Sequence, residues 1–247
     1  MTPTSRPPHL PWRILRGPWE RRRRCGGWLV PGELLGLMGV IAGLGYIAVA
    51  RVNALRGTTI WDPELALDRA IPFFDWSIWI YLTLYLYFLL PMIVTARDDR
   101  GLLRLFYLYK ALLLVTLISF AVFLVLPCEI RLLDQLPTGL HDRGLLGFAY
   151  QTLHGLDRPW NAWPSLHVSL SVMIVFYVTH LRRGRSVSNV LLWVHWLLLA
   201  ASITTTKQHH LVDLVTGVLF GAFAWFRWVR PGLCYVDEAS QVGPPKA

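Results

Sequence analysis

The chain has 247 residues, of which 54% are hydrophobic and 16% charged, with a net charge of +9. That balance is too apolar for a soluble domain, which must cover its surface with polar groups. Nucleic-acid binding, the usual reading of such a charge, is set aside because the basic residues fall in clusters between apolar stretches.

Stretches of mostly apolar residues, each near the length that crosses a bilayer core, run at 30–50, 73–95, 104–126, 165–181, 187–204 and 208–229. The expected fold is therefore an all-α polytopic membrane protein, a six-transmembrane-helix bundle. Residues 1–27 read as a basic cytoplasmic tail, 28–230 as the membrane domain and 231–247 as a second cytoplasmic tail. Arg6, Arg13, Arg16 and Arg21 to Arg24 precede the first span. Arg97, Arg100 and Arg104 lie at the second connection, Arg182, Arg183 and Arg185 at the fourth, and Arg227, Arg230 and Lys246 after the last span. With six crossings all of these fall on one side, which predicts both termini in the cytoplasm.

The first span ends in Ala48-Val49-Ala50, a small-x-small pattern, yet its basic leader and apolar stretch are both long for a signal peptide, so it is read as retained. Gly32, Gly36, Gly39 and Gly43 are spaced for close helix packing. Lys110 is expected to carry its ammonium back to the cytoplasmic surface. The long outer loop between the third and fourth spans, 127–164, is expected to fold over the membrane surface, with a short interfacial helix near 144–154. Cys25, Cys128 and Cys234 read as free thiols, Cys128 on the other side from the remaining two. No metal and no cofactor is expected.

Two segments carry the chemistry. Pro164-Ser165-Leu166-His167 opens the fourth span and Ser202 to Asp213 leads into the sixth. If both termini are inside, both helix starts face outward and offer backbone N–H groups to an anion. His209 and Asp213 are four residues apart, so the carboxylate can hold one imidazole nitrogen and leave the other free to attack. A structural histidine–carboxylate pair would have the same spacing. His210 points away from that face and reads as a spectator or a headgroup contact. Lys207 and Arg158 are the candidate phosphate-binding cations, Ser165, Ser202 and Thr206 the neutral donors, and Asp157 and Asn161 possible headgroup contacts.

These residues resemble the type 2 phosphatidic acid phosphatase (PAP2) superfamily, whose three motifs are Lys-x6-Arg-Pro, Pro-Ser-Gly-His and Ser-Arg-x5-His-x3-Asp. The second is matched by Pro164 to His167 with Leu166 in place of glycine, and the third by Ser202, His209 and Asp213 with Ile203 in place of arginine. The first is matched only by Arg158-Pro159, with Gln151 in place of lysine. Asn161 to His167 and Thr206 to His209 are more similar to the branch of inositol phosphorylceramide synthases and their bacterial relatives. The resemblance implies that His209 forms a phosphohistidine, that Asp213 orients it, and that His167 protonates the leaving alcohol, with a lipid phosphate as substrate, membrane lipids as surroundings and no nucleic acid as partner. It implies a lipid phosphatase, while the short Arg-rich connections suit a bacterial inner membrane and the topology of the two helix starts predicts a site facing outside. A phosphotransferase using an alcohol instead of water stays open, as does a non-catalytic lipid-binding or transport protein.

Overall fold

The computed structural model describes residues 16–156, 160–182 and 186–238. In chain order its α-helices are α1 (Arg16–Glu20), α2 (Leu29–Arg56), α3 (Ala66–Ala70), α4 (Ile78–Leu82), α5 (Leu84–Tyr87) and α6 (Leu90–Val94). There follow α7 (Asp99–Val125), α8 (Gly144–Leu156), α9 (Leu166–Leu181), α10 (Val187–Thr205), α11 (Leu211–Ala224) and α12 (Arg230–Glu238). Local chemistry sets several boundaries. Asp98 caps α7 by accepting from Gly101 N at 2.7 Å, and Ser165 and Ser186 cap α9 and α10 in the same way. Gly57, at φ 62°, takes the left-handed position that ends α2.

Among the described residues four helical runs are long and apolar enough to cross a membrane: α2, α7, α10 and Leu211–Glu238, in which a π-helical turn at Trp225–Val229 joins α11 to α12. α9 is apolar but shorter. The stretch expected as one span at 73–95 is divided among α4, α5 and α6. The division has a local cause: Thr83, Leu86 and Leu89 donate to carbonyls three residues back rather than four, and the Thr83 hydroxyl also bonds Ile80 O. Thr83, Phe88 and Leu89 keep right-handed helical φ and ψ, so the chain stays helical across the junctions.

α9 sits at the centre, buried along nearly its whole length, as expected of a helix that is hydrophobic all round. Its most extensive contact is with α11, and it also packs on α6, α7 and α10. Gly217 and Gly221 make the α9–α11 approach possible, since a Cβ on Gly221 would stand 2.5 Å from Ser169 O and one on Gly217 2.8 Å from Ser165 O. Polar bridges tie the helices inside this apolar bundle. Tyr87 Oη meets His195 Nδ1 at 2.8 Å, Thr95 Oγ1 meets Tyr177 Oη at 2.8 Å, and Trp196 Nε1 donates to Ser171 Oγ at 3.0 Å. Leu44, Leu55, Leu197, Leu219 and Phe223 point outward, a surface that suits hydrocarbon rather than water.

One expectation is corrected. A Cβ on Gly32, Gly36, Gly39 or Gly43 would meet nothing within 4 Å; the packing glycine of α2 is Gly45, where it would meet the Phe120 ring at 2.5 Å. The described parts of both terminal segments pack on the helix bundle. Trp19 packs on Phe106 and Arg22 pairs with Asp99 at one end, while α12 buries Leu233 and Val236 and joins Asp237 to Arg104 at the other. α8 forms where a short helix was expected.

Candidate active site

The turn between α10 and α11 and the N-terminus of α9 bring His209, Asp213, Ser165 and His167 together. His209 Nδ1 faces Asp213 Oδ2 at 3.3 Å and Nε2 faces Ser165 Oγ at 3.4 Å. Both are long for hydrogen bonds. The His167 ring stands across from that of His209, centroids 5.8 Å apart and nearly perpendicular. Ser165 N donates to Asp213 O at 3.2 Å, which locks the two motif segments to each other through the backbone. His209 is 2% exposed and Asp213 0%, whereas His167 is partly open.

One detail differs from the expected geometry. α11 begins at Leu211, so His209 lies in the preceding turn and not on the helix face. It still reaches Asp213 because that carboxylate, in the first helical turn, accepts from His210 N at 2.9 Å and stays at the mouth of the helix. Next to it, Leu211 N donates to Asp68 Oδ1 at 2.7 Å. Two of the N–H groups that an anion was expected to use are therefore already occupied by carboxylates.

The other predicted residues are deployed differently. Lys207, at φ 62° and 1% exposed, donates from Nζ to Asp68 O at 3.0 Å and Ile71 O at 2.6 Å, so its ammonium holds the segment around α3 instead of facing the histidines. Burial lowers the pKa of this amine, with nearby Asp68 acting against the shift. The Ser202 and Thr206 hydroxyls are spent on carbonyls of their own chain, Leu199 O and Ser202 O. Asn161 anchors its amide on Tyr46 O at 2.9 Å. His210 is fully buried with Nδ1 3.3 Å from Asp213 Oδ2. Burial pulls its pKa down, but Asp213, Asp68 and Glu64 outweigh burial and the net shift is upward. Asp157 and Arg158 lie outside the described residues.

Three contributors were not singled out from the sequence. Tyr46 and Tyr81 flank His167, each with ring centroids 5.9 Å away, and Tyr81 Oη approaches His167 Nδ1 at 3.5 Å. Asp68 is the third: buried, it accepts from Leu65 N and Leu211 N and so ties the 57–71 segment to the start of α11. The signal available was an acid in the first turn of a very short helix, at Leu65 to Asp68.

A sequence profile of the PAP2 superfamily matches residues 60–226, which span every motif residue described above. The chain belongs to the PAP2 superfamily. Neither the curated proteins nor the solved structures gave a match. Membership points to a phosphatase-type enzyme, and together with the apolar helices it fits an integral membrane protein. The two positions at which the PAP2 motifs, unlike this chain, carry cations have different settings. Ile203 is fully buried in the apolar core, where an arginine head would be expensive. Gln151 is exposed on α8 and donates to His141 O at 3.1 Å.

Proposed function

We propose that the protein is a membrane-embedded lipid phosphatase that cleaves a lipid phosphate or diphosphate ester. The observation that carries this reading is the His209–Asp213 pair at 3.3 Å with His167 facing it from the start of another helix. Asp213 fixes the His209 tautomer, leaving Nε2 to attack phosphorus. The bond from phosphorus to the leaving oxygen breaks as the P–N bond forms, and His167 gives that oxygen its proton. Water then attacks the phosphohistidine, the P–N bond breaks, and His167 takes up a proton again. Ser165 Oγ, beside Nε2, is placed to donate to a phosphate oxygen.

The location belongs to the same proposal. The stretch Asp75–Val94 and α9 act as spans beside the four longer runs, making six crossings of a bacterial inner membrane. The arginine clusters put both termini in the cytoplasm, so the site opens outside and the 127–164 loop covers it there. A second reading, transfer of the phosphoryl or headgroup-phosphate unit to a lipid or polyol hydroxyl, is favoured by the 2% exposure of His209, since a site closed to bulk water protects a phosphohistidine from hydrolysis.

The test is turnover of detergent-solubilised protein on lipid phosphates, measured as free phosphate with and without an alcohol acceptor. Phosphate released without acceptor, and lost in His209→Ala, supports the phosphatase. Product formed only with acceptor replaces it with the transferase, and lipid retained without turnover replaces both with a binding protein.

A further inference from the structure

Beside the histidine pair the 57–65 segment brings two acids to the start of α11. One ligand atom each from Asp62, Glu64 and His210 lies within 4.8 Å of the other two. His210 is 0% exposed; its Nδ1 has only the Asp213 Oδ2 oxygen, at 3.3 Å and outside hydrogen-bond geometry, and its Nε2 has no hydrogen-bond partner. A buried imidazole nitrogen left without a hydrogen bond is unfavourable, and groups of this kind in native folds usually have a ligand, water or ion as partner. We propose that Asp62, Glu64 and His210 form a divalent-cation site next to the phosphoryl-transfer histidine.

The donor set supports this assignment. Two carboxylates and one imidazole suit a borderline ion such as Mn2+ or Zn2+. With His210 Nδ1 beside Asp213 Oδ2 at 3.3 Å, Nε2 is the nitrogen left to ligate, and the Asp213 carboxylate orients the ring as carboxylates behind metal-bound histidines do. The surrounding charges leave room for an ion. Arg131 stands 3.8 Å from Asp62 Oδ2, Asp62 Oδ1 accepts from Glu64 N, and Arg69 pairs with Glu64 Oε1, leaving Oε2 for the metal. Asp68, the other acid nearby, is used by Leu65 N and Leu211 N.

The ion's role at the phosphate rests on the proposed phosphatase reading; the binding does not. Ile203 and Gln151 stand where the PAP2 motifs carry cations, and the Lys207 ammonium is bound to Asp68 O and Ile71 O. A cation held by His210, the neighbour of His209, would supply positive charge on the phosphate oxygens.

The test is Mn2+ binding to the chelator-treated full chain in detergent, followed by calorimetry and by electron paramagnetic resonance. The wild type should bind Mn2+ stoichiometrically and show coupling to a nitrogen nucleus. His210→Ala should lose that coupling, and both it and Asp62→Asn/Glu64→Gln should bind at least about tenfold more weakly. The double variant alters only the loop and guards against misfolding of His210→Ala. Absence of stoichiometric binding, or equal binding in the variants, overturns the site. Mn2+ binding without phosphate release would sink the phosphatase reading and leave the site standing. Phosphate release without Mn2+ binding would do the reverse.

Discussion

His209, Asp213 and Lys207 are held in different ways, and their replacements should fail differently. Asp213 both faces His209 Nδ1 and caps the α11 backbone at His210 N, so Asp213→Asn keeps much of the cap but loses the charge that orients the imidazole. Turnover should fall by about two to four orders of magnitude, with little change in the unfolding temperature. Lys207→Met should show the opposite pattern. Its two hydrogen bonds to Asp68 O and Ile71 O disappear, and stability should drop by about 1–3 kcal/mol. A lysine that acted on phosphate would instead raise KM and leave the melting temperature alone. The sign with pH follows from burial. Lys207 has its pKa lowered from 10.5, so near that value the folded chain binds fewer protons than the unfolded one. Wild-type stability should therefore gain on that of Lys207→Met as the pH rises toward 10.5, measured as thermal unfolding over an alkaline series.

The α9–α11 pair sets the distance between the two histidine motifs, and its closeness depends on glycine. In Gly221→Ala a Cβ would stand 2.4 Å from Val172 Cγ1 and 2.5 Å from Ser169 O, and the carbonyl cannot swing aside without moving α9. That variant should lose about 1–3 kcal/mol of stability and most turnover, because Ser165 and His167 lie on the same end of α9. Gly39→Ala meets nothing within 4 Å and should keep its stability or gain a few tenths of a kcal/mol from helix propensity. Equal unfolding temperatures and equal phosphate release in the two variants would show that the close approach does not position the site. Sequence spacing marked the small residues of α2 as a contact face, but spacing alone does not say whether another helix arrives. The same limit explains the 73–95 stretch. Its apolar run was legible, whereas its subdivision depends on hydrogen bonds at Thr83 that hydropathy does not encode.

Across the whole molecule, legibility divides by sequence separation. The His209–Asp213 contact is local, and His167 was placed opposite it by the relation between two helix starts. The role of Lys207 was not legible because its partners are 136 and 139 residues away, and Asp68 reaches Leu211 N across 143. The orientation proposed from the arginine clusters is one that thiol chemistry can test. Cys25 is exposed at the end where the arginines gather. Cys128 is 1% exposed, and burial, reinforced by Asp213 and Asp62, pushes its thiol pKa upward, so it is short of thiolate as well as access. A membrane-impermeant maleimide added to intact cells should modify neither. After permeabilisation it should modify Cys25, while Cys128 reacts only once the protein is unfolded. Each is read by mass shift in a variant keeping that cysteine alone. Labelling of Cys25 in intact cells would place the arginine-rich end outside, and the histidine site would then face the cytoplasm.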